Sequence, residues 1–409
     1  MISVYLAKTN SISGLGRTIN TILDSLCEGR GVFDFRDSVV ACTMKNEVPG
    51  RIPWDWIENF HFENKIVKNG PVEARIAYMA ASDLLKDAPE SFADSHSGLF
   101  CGTMNNGYGM VGLRNGYRIC ATPELKYDKS HFEKRIGTGF SYVHPMVPVY
   151  KIPNNVVANI ALDYGIGGDN ANFFGEDSSG VALMTAWERV KHGLLNKALV
   201  FTANHLFLNY LDYLMIDARD IFRRSFEFTP DTNSFSFPSE SASACIVSTK
   251  EELQRLGLKT EAEIIAISQC SLLEEFYQRN ASVQDIKKVI QKALNMAGIQ
   301  FGDLDAVVFD NLEKSANQVI ALKEMKDSVR ADTHLCTPSL FTGHSICAHA
   351  QFQVMLAARM LGEGRYFGSY LKPTEGILSQ TGYGALNTIG VLNQSYNNSL
   401  QFVILRKSE

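Results

Sequence analysis

The sequence predicts an α/β fold built from two similar halves. Short apolar runs alternate with segments of helix length whose apolar residues recur at helical spacing, which is typical of helices layered on sheets. This order runs through residues 1–245 and is repeated in residues 246–409. Apolar residues make up 45% of the chain and charged residues 20%, as in globular proteins with a large core. We therefore expect a duplicated α/β core whose halves join near residue 245.

Short apolar runs predict the strands of the first half, and longer segments with helical spacing predict its helices. We expect strands at 4–6, 97–102 and 198–203, a turn-rich stretch at 10–16, and helices at about 17–26, 74–85 and 178–192. Gly193 follows the last of these helices, at a position where glycine commonly ends a helix.

The second half repeats this alternation. We expect strands at 262–268, 305–310 and 401–406, and helices at 282–297 and 350–361. Ser282 would cap the first of these helices, with Asp285 three residues further on, as in a capping box.

Composition and charge exclude several classes of function. The net charge is −5 and no basic stripe is visible, which argues against nucleic-acid binding. No apolar run approaches the roughly 20 residues of a membrane span, and the N-terminus does not resemble a signal peptide, so we expect a cytoplasmic protein without a membrane partner. The eight cysteines form no CxxC pair, and His344 and His349 lie five residues apart rather than four. We therefore expect no disulfide framework and no metal site.

Residues 154–193 hold the pattern with the most chemical content: a helix, a glycine-rich turn, a short strand, and a sharp turn into a second helix at 176–180. A helix that begins after a strand presents backbone N–H groups that favour an anion, and many enzymes place a nucleophile there. Asp177 holds this position. An alternative interpretation is that Asp177 caps the helix through its side chain.

This segment resembles the β-ketoacyl synthases. Residues 155–158 resemble their Asn-x-x-Ala helix, 164–168 their Tyr-Gly-x-x-Gly turn, and 177–180 the elbow Cys-(Ser/Ala)-(Ser/Thr)-Gly that carries the nucleophile. The resemblance implies a thiolase-like fold, with a duplicated core of five layers in the order αβαβα. It also places Asp177 at the position of the active-site cysteine.

Other motifs of the family extend the resemblance over nearly the whole chain. Asp310 lies near the position of the first catalytic histidine, Ser339 stands where the lysine should be, and His344 matches the second histidine. Condensation requires a thiolate that holds the acyl group and imidazole donors that stabilise an enolate. Three of the four catalytic residues are replaced, so no catalytic residue for condensation is expected, and His344 is interpreted as a structural hydrogen bonder.

Within the family the chain length factors, the β subunits of type II polyketide ketosynthases, have also lost the cysteine. Their elbow reads Glu-Gln-Ala-Gly-Gly; Glu176 matches it and Asp177 replaces the glutamine. The resemblance implies a heterodimer with an active ketosynthase α subunit and work with an acyl carrier protein in a bacterial type II polyketide synthase, making an aromatic polyketide rather than an aryl polyene. It implies no directly bound cofactor; the acyl-phosphopantetheine of the carrier would act through the partner subunit.

In this family, residues near the dimer interface line the acyl tunnel, and their volume would limit the number of extension cycles. The corresponding candidates are Tyr108, Met110, Leu113, Tyr117, Phe140, Tyr142 and Met146. Aromatic and methionine side chains at such positions are also typical of an ordinary core or interface.

Two other functions stay open. The chain could be a divergent enzyme in which Asp177 or Glu176, with His344, runs a decarboxylation, hydrolysis or acyl transfer without a cysteine. It could also be a homodimeric binding or scaffold protein.

Overall fold

Ten strands in the described part of the chain form one mixed sheet, and each half of the chain supplies five of them. The structure is a computed structural model that describes residues 2–31, 50–86, 92–104, 116, 118–122, 126, 128–140, 154–205, 239–272, 281–310, 316–329, 332–372, 376–395 and 399–408.

The strands are β1 (Tyr5–Ser13), β2 (Ser97–Thr103), β3 (Asn170–Phe174), β4 (Lys197–Asn204), β5 (Ser241–Ser248), β6 (Ala262–Ser271), β7 (Ala306–Phe309), β8 (His334–Cys336), β9 (Arg365–Tyr366), β10 (Ser369–Lys372), β11 (Gly376–Ser379), β12 (Gly382–Tyr383), β13 (Thr388–Gln394) and β14 (Ser399–Lys407). The helices are α1 (Ile19–Cys27), α2 (Trp54–Glu58), α3 (Lys65–Lys68), α4 (Val72–Leu85), α5 (Lys129–Phe140), α6 (Asn155–Tyr164), α7 (Ser178–Lys191), α8 (Lys250–Arg255), α9 (Val283–Ala297), α10 (Ala316–Val329), α11 (Ser339–Thr342) and α12 (His349–Glu363). Short 3₁₀ turns lie at Phe301–Asp303 and Ile346–Ala348.

The two sets of five strands have the same topology. The first set has the spatial order β3-β2-β4-β5-β1, and the second has the order β8-β7-β13-β14-β6. In each set the first three strands are parallel, and the fourth runs antiparallel to both of its neighbours. The sets meet where β1 pairs with β6 through Tyr5 and Leu6. This repetition confirms the predicted duplication of the α/β core.

Helices cover both faces of each set of strands. Helices α7 and α12 contact each other between the two sets, and with α1 they form the central apolar cluster. Helices α4 and α6 pack on the outer face of the first set, and α9 and α10 pack on the outer face of the second. The order of layers is therefore αβαβα. In the part of the chain that the structure describes, no helix has both the length and the apolar character to cross a membrane.

Most predicted elements are present, including the Ser282 cap, whose Oγ accepts from the Asp285 N–H at 3.1 Å. Two strands at the centre of the first set differ from the sequence-based expectations. Strand β1 continues through the stretch expected to be a turn, since Asn10 to Ser13 pair with β5. Strand β5 was not predicted because its sequence, SASACIVS, is rich in serine and alanine; all eight of its residues are buried. Pairing with β1 and β4 on both sides overrides the weak local preference of these residues for strand.

A buried cluster of charges fixes the start of β4. Lys197 is fully buried, and its Nζ lies 2.7 Å from both Asp94 Oδ2 and Glu252 Oε1. Arg255 also donates to Glu252. The pKa of Glu252 is held below its usual value because Arg255 and Lys197 both donate to its carboxylate, which outweighs the effect of burial.

The substitution Lys197→Ala should lower the free energy of unfolding by roughly 3 kcal/mol, because it leaves the buried Glu252 carboxylate without its buried partner. Lys86→Ala is the matched control: it removes the exposed pair with Asp83 and should cost less than about 1 kcal/mol. Urea unfolding followed by circular dichroism measures both. Equal losses for the two variants would contradict a structural role for the Lys197 cluster.

Candidate functional site

Polar side chains from both halves of the chain converge on one small cavity. Asp310 follows β7 and Asn393 lies near the end of β13, so both are at the carboxyl ends of parallel strands, where ligand sites of α/β sheets commonly lie. Asp177 comes from the elbow before α7, and His344 and His349 come from the segment that leads into α12. All five residues line the cavity, whose volume of about 20 Å³ holds one or two water-sized spheres.

The elbow is held by close backbone packing. Gly102 in β2 lies against it, and a Cβ added at Gly102 would come within 2.5 Å of the Ser179 nitrogen, so this position requires glycine. Asp177 occupies the N-cap position of α7, but its side chain makes no capping hydrogen bond. The interpretation of Asp177 as a side-chain cap is therefore wrong; its half-buried carboxyl group lines the cavity instead.

Asp310 forms a buried pair with His349. Both side chains are buried, and the Nε2 of His349 is in direct contact with Asp310 Oδ1. Gln353, one turn further along α12, donates from Nε2 to the same oxygen at 2.8 Å. Burial by itself would raise the pKa of Asp310, but His349 and His344 outweigh it and hold this pKa below its usual value. The carboxyl group of Asp310 is therefore ionised at neutral pH.

Backbone N–H groups orient both imidazole rings. Ile346 N donates to His344 Nδ1 at 3.2 Å, and Ser345 N points at His349 Nδ1 at 3.5 Å. A neutral ring that accepts at Nδ1 carries its proton on Nε2, so His344 presents an Nε2–H group. Burial, with the nearby His349, lowers the pKa of His344 to about 3, so His344 is neutral near pH 7.

The backbone of this segment is strained. Ile346 has a φ of 36°, which is rare for a β-branched residue, and Gly343 just before it has a φ of 72°. Such strain persists only where the surrounding structure enforces it, and it concentrates at functional sites. The segment carries His344 and His349, whose ring centres lie 4.2 Å apart.

The predicted site residues separate into three groups. Asp177, Asp310 and His344 come together around the cavity, whereas Ser339 is buried outside its lining. Two cysteines near the elbow, Cys101 and Cys347, are buried, and burial raises the pKa of each thiol well above its usual value, so neither thiol is activated as a nucleophile. The remaining candidates lie outside the described residues: Tyr108, Met110, Leu113, Tyr117, Tyr142, Met146 and the side chain of Phe140.

The sequence patterns did not identify the following members of this site: His349, Gln353, Asn393 and Gln401. His344 and His349 lie five residues apart along the chain, a spacing that does not fit a pair of metal ligands on one face of a helix. The fold adds Asp310, and the potential ligand atoms of Asp310, His344 and His349 lie within 4.8 Å of one another. A usable signal was present, since Gln353 lies four residues after His349 on one face of the same helix.

Comparisons with known proteins identify the fold. No protein-family model and no curated protein matches the chain. The solved structures that match over 100% of both chains include a type II polyketide synthase acyl-carrier protein in complex with its ketosynthase bound to the hexaketide (12% identity, TM-score 0.76), a β-ketoacyl synthase from Burkholderia phymatum (15%, 0.75), and the ishigamide ketosynthase/chain length factor (14%, 0.74). The chain therefore has the thiolase-like fold of the ketosynthases, as predicted.

The Asp310–His349 pair should be strongly coupled. His349→Ala and Asp310→Ala should each lower the free energy of unfolding by about 3 kcal/mol, because each leaves a buried polar partner behind. The double variant should cost less than the sum of the two by about 1 kcal/mol or more. Urea unfolding of the four proteins measures the coupling, and additive losses would show that the contact contributes little.

Proposed function

We propose that this chain, which has the ketosynthase fold, is a non-condensing subunit that acts as a chain length factor beside an active ketosynthase. The observation that carries the proposal is the pair of carboxyl groups in the cavity: Asp177 at the elbow and the buried Asp310. The system we propose is a bacterial type II polyketide synthase that makes an aromatic polyketide rather than an aryl polyene.

The chemistry of the cavity opposes condensation. A carboxylate is a far weaker nucleophile than a thiolate and cannot form the thioester that holds a growing acyl chain. The enolate formed during condensation is negative, and the ionised Asp310 would repel it. The cavity that the described residues enclose has a volume of only about 20 Å³. These three features agree with a subunit that leaves the bond-forming step to its partner.

An edge strand supports the proposed pairing. Strand β3 ends the order of the ten-stranded sheet and, among the described strands, pairs only with β2. Its last residue, Phe174, is 58% exposed. An unpaired edge with an exposed aromatic residue can add a strand from a second protein. We propose that the ketosynthase α subunit covers this edge, because two related folds that form a heterodimer need a shared contact face.

The partner would supply the cysteine, both histidines and the lysine. An acyl carrier protein would deliver the acyl group on its phosphopantetheine arm to the partner, so this chain would bind no cofactor directly. Two of the similar structures support the choice of these partners. One contains a carrier protein with its ketosynthase, and another is a ketosynthase/chain length factor.

We favour this function over a divergent enzyme that uses Asp177 and His344. A general acid or base needs a pKa near the working pH, whereas burial lowers that of His344 to about 3. In addition, its Nδ1 accepts from the Ile346 N–H and is not available to take a proton from a substrate.

Substitution of the elbow should separate the two functions. In a complex reconstituted from this chain, a ketosynthase and a carrier protein, Asp177→Ala should keep most of the rate of product formation. Replacing the partner's elbow cysteine by alanine should lower it by roughly 10³-fold or more. Malonyl loading and mass spectrometry measure product and acylated species. Acyl label on this chain, or an equal loss with Asp177→Ala in an intact complex, would contradict the proposal.

Tunnel volume should set product length. Met110→Ala or Leu113→Ala in the same complex should give products longer by one or more extension cycles, because a smaller side chain deepens the tunnel. Met296→Ala is the matched control: Met296 lies on the outer helix α9 and is 46% exposed, so product length should not change. Mass spectrometry of the released products measures the length. Unchanged length in both tunnel variants would rule out these positions as the determinants.

A further inference from the structure

Three residues with carboxyl groups line the cavity. Glu176, Asp177 and Asp310 all line it, and its lining contains no lysine or arginine among the described residues. The Oδ1 of Asp310 is occupied by His349 and Gln353. Its Oδ2 meets the Gln394 N–H at 3.4 Å, a long contact that leaves room for a further partner.

Two buried amide groups of the lining have unused hydrogen-bonding atoms. Asn393 is 6% exposed, and neither Oδ1 nor Nδ2 has a hydrogen-bond partner. Gln401 is 4% exposed; its Nε2 donates to the Gly180 carbonyl at 2.9 Å, and its Oε1 has no partner. Buried polar atoms in native proteins are nearly always satisfied. The two oxygen atoms can therefore accept from a water molecule or bind a cation inside the cavity, and the Asn393 Nδ2 group can donate to such a water molecule.

The two imidazole groups limit the chemical class of the species that the cavity can bind. The Nδ1 of His344 accepts from the Ile346 N–H group, and the Nε2 of His349 is already in contact with Asp310 Oδ1, so neither of these nitrogen atoms is available to a further ligand. Zinc and the later transition metals prefer imidazole and thiolate ligands, whereas Mg²⁺, Mn²⁺ and Ca²⁺ prefer carboxylate and amide oxygens. The available donors are thus those of a hard cation, and the cavity has space for one ion with a water molecule.

We propose that this cavity binds a divalent cation of the Mg²⁺ or Mn²⁺ class through the oxygen atoms of Asp310, Asn393, Gln401 and Asp177, with water completing its coordination. The His349 and Gln353 contacts to Asp310 Oδ1 hold that carboxylate so that Oδ2 faces the ion. The ion neutralises the cavity and links the elbow of the first half to β7, β13 and β14 of the second. The proposal is independent of the role as chain length factor.

Mn²⁺ titration tests the site directly. The full-length chain, treated with EDTA and exchanged into metal-free buffer, is titrated with Mn²⁺ while electron paramagnetic resonance measures the free ion. We expect saturation at one Mn²⁺ per chain, and displacement by Mg²⁺. Asp177→Asn and Asn393→Ala should each weaken binding by about tenfold or more. Asp169→Asn is the matched control: Asp169 faces Arg189 outside the cavity lining, and its variant should bind Mn²⁺ like the parent.

Asp177→Asn keeps the shape of a half-buried side chain at the mouth of the cavity, so circular dichroism should show an unchanged fold. Failure of the parent chain to bind Mn²⁺, or equal binding by the parent and both cavity variants, would overturn the proposal. Preferential binding of Zn²⁺ that His344→Ala or His349→Ala abolishes would also overturn it, since the ligands would then be nitrogen atoms. No partner subunit enters these measurements, so their failure leaves the proposed function untouched.

Discussion

The pairing of β1 with strands of both halves is the constraint on which the rest of the molecule depends. Along most of its length β1 pairs with β5, and through Tyr5 and Leu6 it also pairs with β6. This double pairing aligns two five-stranded sets of the same topology and leaves the space between them for α7 and α12. Because α7 begins at the elbow and α12 begins at His349, the same alignment brings the two halves of the site into contact.

The charged side chains of this site limit the chemistry that it can support. In a cavity of about 20 Å³, the elbow carboxyl group of Asp177 and the carboxylate of Asp310 lie in the same lining. Asp310 stays ionised in the interior because His349 pairs with it and Gln353 donates to it. A thiolate and an enolate would both be disfavoured here, whereas a cation would be favoured.

The sequence predicted many of the helices and strands, but few of the contacts between their side chains. The predicted helices and strands lie close to their observed bounds, except for β1, which is longer than predicted, and the elbow was also located correctly, because these signals are local. The apolar strand β13 was not predicted. Strand β5 was missed because serine and alanine have little intrinsic preference for strand, and its two neighbours impose the conformation. The side-chain cap at Asp177 was predicted from residue type alone, but the capping bond is not formed.

The sequence by itself determined the α/β class, the duplication, and the absence of a cysteine at the elbow, since residue identity and periodicity are properties of the chain. Only the tertiary structure decided that Asp310 pairs with His349, that Gln353 supports this pair, and that Asn393 and Gln401 face the same cavity. These residues lie on β7, α12, β13 and β14, which are far apart along the chain. Their meeting depends on strand order and helix packing, and no local pattern encodes it.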